Sequence, residues 1–148
     1  MAEPTEVTLR TARYLDNLDF DAFLALCTAD LNYVVKVWSP DLRRDMIWFD
    51  HDRSSIEALF GSVHEHIVRP ERTLRHLGQS IVDLEGTDLA SVDTSVAVFL
   101  TDTHGDSRLW AVGRYIDQVE KHGGAWLLAR RVVRLETRNL GIGSHLPI

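Results

Sequence analysis

Cysteine is nearly absent from this chain, which has Cys27 alone among 148 residues. One cysteine excludes an intrachain disulfide and is typical of proteins from a reducing compartment. It also excludes a Rieske cluster, which needs two cysteines and two histidines, and other iron–sulfur clusters, which usually need four cysteines. Any such redox centre would have to belong to another subunit.

Long apolar runs and an excess of positive charge are also missing. The longest runs, such as Ser95–Leu100, are too short to span a bilayer, and residues 1–6 lack the basic and apolar regions of a signal peptide. The formal net charge of −6 argues against nucleic acid or an anionic membrane as the main partner. We therefore expect a cytoplasmic protein that binds neither nucleic acid nor membrane.

The hydrophobic content of 45% is enough for one globular core. We expect a single domain over 1–148, with a short flexible N-terminus at 1–4 and a flexible C-terminal tail at 139–148. No internal repeat or domain boundary interrupts the pattern.

Hydrophobic periodicity predicts helices in the first half of the chain and strands in the second. Two short helices come first, a strand pair and a third helix follow, and four long strands separated by short glycine-bearing turns complete the chain. The predicted segments are helices over 5–18, 20–27 and 54–67, strands over 31–38 and 45–49, and strands over 72–84, 89–101, 107–119 and 125–136. This order predicts an α+β fold, with helices packed on one face of a curved sheet.

Two motifs about twenty residues apart carry most of the remaining information. They are Trp48–Arg53, which reads WFDHDR, and Arg72–His76, which reads RTLRH. Together with Gly113–Tyr115 and the double-arginine strand Leu127–Leu135, they resemble the small (beta) subunits of Rieske-type ring-hydroxylating oxygenases. That family has the nuclear-transport-factor-2-like cone fold, in which a curved antiparallel or mixed sheet wraps around three helices from the N-terminal half. The same fold is found in scytalone dehydratase and ketosteroid isomerase, so the fold alone does not determine function.

The resemblance implies a structural subunit with no catalytic residues and no cofactor of its own. The Rieske cluster and the mononuclear iron are expected in a large (alpha) subunit. The resemblance also implies a hexamer of three large and three small subunits, in which the small subunits contact one another. Trp38–Met46 and Gly143–Pro147 look similar to the small hydroxylase subunit of methanesulfonate monooxygenase.

An assembly subunit needs partly apolar, partly charged surfaces, and arginine and tryptophan are enriched at such interfaces. The predicted interface residues are Arg130, Arg134, Arg138, Trp110 and Trp126. Solvated arginines and core tryptophans are the alternative interpretation.

A stand-alone cone enzyme is the competing hypothesis, with His76, Tyr33 and Arg114 in an apolar pocket. In dehydratase-like members of the fold, a histidine near this place works with an aspartate and a second histidine. Here Val34 stands at the position that matches the aspartate, and Val112–Tyr115 contains no second histidine. General acid–base catalysis needs a partner within hydrogen-bonding reach, and the sequence offers His76 no such partner at these positions. A ligand-binding or dimerisation module without chemistry is a third possibility.

Other polar clusters have simpler explanations than catalysis. Asp50–Asp52 looks like a metal cluster, but successive strand residues point to opposite faces, and Asp52 fits a helix cap better. His64 and His66 do not share a helix face, and Cys27 is expected on the apolar face of the second helix. Arg72, Arg75, Arg108 and Arg114 could bind an anion together, although separate salt bridges are the expectation.

Overall fold

The computed structural model describes residues 3–66, 71–140 and 147–148, with side chains described outside 63–66. In the described ranges, three helices and six strands follow one another in the predicted order. The helices are α1 (Pro4–Asp16), α2 (Phe20–Ala25) and α3 (Arg53–His66). The strands are β1 (Cys27–Ser39), β2 (Arg44–Asp52), β3 (Arg72–Glu85), β4 (Leu89–Thr101), β5 (Ser107–His122) and β6 (Ala125–Leu135). No helix in the described ranges is long and apolar enough to cross a membrane.

The six strands form one mixed sheet in the order β2-β1-β6-β5-β4-β3. Every neighbouring pair is antiparallel except β1 and β6, which run parallel. Short turns connect β3 to β6 in series, as the glycine-bearing connectors predict. The sequence does not reveal the parallel pair, because its partners lie about a hundred residues apart.

All three helices lie against the same face of the sheet. α1 contacts β3, β4, β5 and β6, whereas α3 contacts β1 and β2. Buried side chains from both layers form one core, including Val7, Phe23, Ile56 and Val98. The predicted α+β cone is confirmed, and its helix-free face is left as a broad exposed surface in the described part of the chain.

The first strand begins earlier than predicted, which moves Cys27 from a helix to a strand. α2 ends at Ala25, and Cys27 already pairs with Leu128 of β6. Its Sγ donates to the carbonyl of Phe23 at 3.2 Å. The prediction of Cys27 on the second helix is therefore wrong, although the side chain is buried as expected.

Both ends of the chain contribute to the core. Pro4 opens α1 and is buried, while Pro147 and Ile148 are buried beneath the sheet. At the C-terminal end, the side chains of Arg75 and Tyr115 inside the cone bind the main chain at 147 and 148.

Candidate functional site: the interior of the cone

A buried ion pair occupies the middle of the cone. Asp117 on β5 and Arg131 on β6 are direct cross-strand neighbours, and both side chains are 0% exposed. Arg131 donates from Nε to Asp117 Oδ1 and from Nη2 to Asp117 Oδ2, each at 2.8 Å. This bidentate geometry is the strongest arrangement available to arginine and a carboxylate.

Helix α1 completes the shell around this pair with two threonines. Thr8 Oγ1 donates to Asp117 Oδ2 at 2.7 Å, and Arg131 Nη2 donates to Thr11 Oγ1 at 2.7 Å. The Thr11 hydroxyl itself donates to the main-chain oxygens of Val7 and Thr8, one turn earlier in the helix. The ion pair therefore ties the first helix to the last two strands.

Two tyrosine rings flank the Arg131 guanidinium. Its central carbon lies 4.1 Å from the ring centroid of Tyr115 and 5.7 Å from that of Tyr33, distances at which cation–π attraction operates. Burial alone would lower the pKa of Arg131, but the Asp117 carboxylate outweighs it and raises that pKa. Burial, with Tyr115 next, raises the pKa of Tyr33 above its usual range. Arg131 therefore stays charged and Tyr33 neutral, and neither is poised to exchange a proton near neutral pH.

The RTLRH motif places a second buried arginine at the mouth of the cone. Arg75 Nη1 donates to Asp16 Oδ1 at 2.7 Å, and the Arg75 amide donates to the same carboxylate. Arg75 Nε donates to the hydroxyl of Tyr115 at 3.1 Å and to the main-chain oxygen of Ile148 at 2.7 Å. Arg75 therefore forms a salt bridge with Asp16, and the motif joins α1, β3, β5 and the C-terminal residues.

The WFDHDR motif is structural in the same way. Arg53 Nη1 donates to three carbonyl oxygens where α2 meets β1, those of Leu24, Cys27 and Thr28, at 2.9, 2.8 and 3.3 Å. Asp52 Oδ1 accepts the Ser55 amide at 2.9 Å, and this hydrogen bond lowers the pKa of Asp52. Asp52 is therefore the helix cap that the sequence predicts.

The structure does not bring His76, Tyr33 and Arg114 together. His76 is exposed on the outer face of β3, because strand alternation turns its neighbour Arg75 inward. Arg114 is also on the outer face, where it lies 3.9 Å from Asp93, whereas Tyr33 is fully buried inside. The hypothesis of a pocket shared by these three residues is wrong on this geometry.

The predicted interface residues divide into two groups. Trp110 and Trp126 belong to the core, and Trp110 Nε1 donates to the carbonyl of Leu140 at 2.9 Å. Arg130 and Arg138 are exposed, and Arg134 is half-buried. Arg130 donates to Asn32 Oδ1 at 3.3 Å, and Arg134 lies 3.4 Å from Asp45. Arg130 and Arg138 therefore lie at the surface and Arg134 is partly exposed, whereas the tryptophans belong to the core.

Metal-binding groups do not converge in the described part of the chain. No cluster of three or more His, Cys, Asp or Glu side chains occurs there. Asp50 accepts from Asn32 at 3.0 Å, and His51 packs edge-on against Phe49. The side chains of His64 and His66 lie outside the described residues. Burial raises the pKa of Cys27 to about 12, which leaves its thiol protonated and a poor ligand or nucleophile near neutral pH.

One cavity of about 350 Å³ lies at the mouth of the cone. Apolar side chains of Leu15, Phe20 and Trp110 line it beside Asp16, Arg75 and Pro147. Asp16 and Arg75 are already paired with each other, so neither of them offers the cavity an unpaired acid or base.

Arg131 is an important residue that residue type and motif do not single out. The prediction for Leu127–Leu135 rests on its outward arginines, whereas the inward one organises the interior. A usable signal was present, since adjacent arginines in an apolar strand must place one side chain on each face. The aspartate in the preceding strand of the meander offered it a partner.

Comparison with known proteins agrees with the two motifs and the fold. The family model described as "Ring hydroxylating beta subunit" matches residues 10–141. The beta subunit of 2-aminobenzenesulfonate 2,3-dioxygenase from an Alcaligenes species is 32% identical over 97% of this chain and 95% of its own length. The beta subunit of the methanesulfonate monooxygenase hydroxylase from Methylosulfonomonas methylovora is 33% identical over 94% of this chain and 82% of its own.

A solved structure shows the same fold at lower sequence similarity. A beta subunit from Novosphingobium aromaticivorans, assigned to an aromatic-ring-hydroxylating dioxygenase, superposes with a TM-score of 0.84 at 18% identity. The superposition covers 97% of this chain and 94% of that one. Sequence family and fold agree, and the chain belongs to the ring-hydroxylating beta subunit family.

Proposed function

We propose that this chain is the small, non-catalytic subunit of a multicomponent Rieske non-haem iron oxygenase and supports assembly of the large catalytic subunit. The observation that carries the proposal is the content of the cone. In cone enzymes the interior holds the substrate. Here Arg131, Asp117, Tyr33 and Tyr115 fill the middle of the cone with side chains in contact with one another, and the cavity of about 350 Å³ is confined to its mouth. A filled middle supports a role in which the outer surface makes the functional contacts.

The redox centres of such an oxygenase would belong to the partner. A chain with one cysteine cannot supply the two that a Rieske cluster takes, and that cysteine is buried in the core. A mononuclear iron of this type needs two histidines and a carboxylate on one side of an open site. The described residues do not supply that set. We therefore assign both the cluster and the iron to the large subunit.

The helix-free face of the sheet is the proposed contact with the large subunit. Val34, Val132 and Ile116 are cross-strand neighbours on β1, β6 and β5 and form an apolar row on this face. Ile116 is half-buried, whereas Val34 and Val132 are largely covered by their neighbours in the chain, at 6% and 8% exposed. Charged and polar rows flank it on both sides. Lys36, Arg134 and Arg114 make one row, and Asn32, Arg130 and Gln118 make the other. An apolar centre with an arginine-bearing rim is the usual anatomy of a protein interface.

For the finer assembly we propose three large and three small subunits in the cytoplasm, with small subunits also touching one another. Both curated relatives are named as subunits of oxygenases of sulfonates. A sulfonated compound is therefore the first substrate class to test for the complex, and its specificity would lie in the partner.

Arginine variants test the proposed contact. Replacing Arg114, Arg130 and Arg134 together by alanine should weaken binding to the large subunit at least tenfold, because the rim loses three cations. Arg13→Ala is the matched control, since Arg13 is an exposed arginine on α1, on the opposite side of the sheet. Unchanged affinity in the triple variant, with an unchanged unfolding midpoint, would remove this face from the proposal.

The stand-alone enzyme remains the second candidate because the fold hosts such enzymes. Its sharpest test is Tyr33→Phe. Among the described residues the Tyr33 hydroxyl is buried with no hydrogen-bond partner, so its removal should leave the free energy of unfolding unchanged or higher. If Tyr33→Phe instead abolished a dehydratase or isomerase activity of the purified chain, the non-catalytic assignment would fail.

A further inference from the structure

Two donors inside the cone converge on the main chain of the last residues. Arg75 Nη2 donates to the carbonyl of Pro147 at 2.9 Å, and Arg75 Nε donates to the main-chain oxygen of Ile148 at 2.7 Å. The Tyr115 hydroxyl donates to the same Ile148 oxygen. One guanidinium and one phenol thus donate hydrogen bonds to two successive main-chain oxygens.

This arrangement is held in place by residues other than the tail. The Arg75 side chain is only 5% exposed and is fixed by Asp16 at 2.7 Å and by Thr73 Oγ1 at 3.2 Å. Tyr115 is fully buried in the core. A binding group whose orientation is set by its own neighbours is preorganised, and preorganisation lowers the cost of binding.

The side chain at 148 and the chain before it are also specifically held. Ile148 is 4% exposed and belongs to the core cluster, so the site includes a closed apolar space for a branched side chain. Upstream, Trp110 Nε1 donates to the carbonyl of Leu140 at 2.9 Å, and the Val112 amide donates to Thr137 Oγ1 at 3.0 Å. The segment is therefore anchored before and after residues 141–146.

We propose that the mouth of the cone is a peptide-binding site, which the chain fills with its own Pro147 and Ile148. Its ligand class is an extended peptide that presents two successive main-chain oxygens and a branched aliphatic side chain. When the tail is weakened, such a peptide binds in its place. The proposal does not depend on the oxygenase role, since it concerns the inside of the cone rather than its outer face.

The test uses the full-length variant Ile148→Gly, in which the tail loses its buried side chain. The probe is an N-acetylated tetrapeptide with the sequence of 145–148, His-Leu-Pro-Ile. We expect the variant to unfold at a lower temperature than the wild type, and the probe to raise its midpoint in a saturable way. By calorimetric titration, the variant should bind the probe at least tenfold more tightly than the wild type, whose site is full.

A matched peptide and a milder variant keep the test decisive. His-Leu-Pro-Asp has the same main chain but cannot bury its last side chain, so it should not stabilise the variant. If Ile148→Gly does not fold, Ile148→Ala takes its place in the same titrations. Equal effects of the two peptides, or no difference between variant and wild type, would overturn the proposal.

Discussion

Asp117 and Arg131 face each other across β5 and β6, and two hydrogen bonds of 2.8 Å join their side chains where solvent does not reach. This pair lies in the interior of the cone, where both side chains are fully buried. It holds α1 through Thr8 and Thr11.

The two partners of this ion pair should depend strongly on each other. Arg131→Met leaves the Asp117 carboxylate buried without its main partner, and Asp117→Asn leaves the guanidinium unpaired. Removing one partner of a buried pair costs about 3–5 kcal/mol of unfolding free energy. The double variant should cost clearly less than the sum of the two single variants, as measured by urea unfolding.

Additive effects would contradict this account, since they would mean that the two groups contribute independently. The slope of the denaturation curve serves as a control, because it reports whether each variant still unfolds as a compact domain.

Arg53 and Arg10 form a natural comparison. Each makes an i,i+4 pair with a glutamate, Arg53 with Glu57 at 2.9 Å and Arg10 with Glu6 at 2.7 Å. Only Arg53 also binds the three carbonyls between α2 and β1. Arg53→Ala should therefore cost about 2–3 kcal/mol, because charge-assisted hydrogen bonds to partly buried groups are lost. Arg10→Ala should leave the free energy of unfolding nearly unchanged, because its ion pair with Glu6 is exposed to solvent. Similar costs in urea unfolding would show that the carbonyl contacts contribute little.

Gly113 and Gly61 should respond in opposite directions to alanine. A Cβ at Gly113 would lie 2.3 Å from the carbonyl oxygen of Arg134, where β5 and β6 approach closely. Gly113→Ala should therefore cost more than about 2 kcal/mol through backbone displacement. Among the described residues, a Cβ at Gly61 in α3 meets nothing within 4 Å, so Gly61→Ala should stabilise by about 0.5–1 kcal/mol. Thermal unfolding of both variants distinguishes these outcomes, and a tolerated Gly113→Ala would contradict the close approach.

Stability should fall in alkaline solution, in part through Cys27. Burial raises the pKa of this thiol from 9.0 to about 12 on folding. The unfolded chain therefore releases the proton first, and the stability contributed by the protonated thiol is complete below pH 9 and lost as the pH rises towards 12. The slope of unfolding free energy against pH should be shallower in Cys27→Ala, by up to about 1.4 kcal/mol per pH unit between pH 9.5 and 11. Identical slopes would show that the thiol already ionises normally in the folded protein.

The sequence predicts local structure well in this protein because its strands and turns are locally encoded. Each hairpin between β3 and β6 has a glycine-bearing connector, and the observed strands agree with the predicted ones within a few residues. The parallel pairing of β1 with β6 follows from packing between distant segments, which periodicity does not report. The pairing of Cys27 with Leu128 also comes from packing between distant segments, so periodicity does not predict that β1 begins at Cys27.

The candidate site was harder to predict than the fold. Residue type alone pointed to His76 and Arg114, but the alternation of the strands places both on the outer face. Arg131 and Arg75 are inside, where charge is expected only when it is paired. Their partners, Asp117 and Asp16, become visible only once the strands and helices are assembled.

The central claim is that this chain works as part of a larger complex. Native mass spectrometry of the tagged chain purified from its own host, together with iron analysis, tests it most directly. The account predicts a complex that contains a larger, iron-bearing subunit in equal number with this chain, and it predicts that the small subunit released from that complex retains no iron. A metal-free assembly of this chain alone would contradict the account.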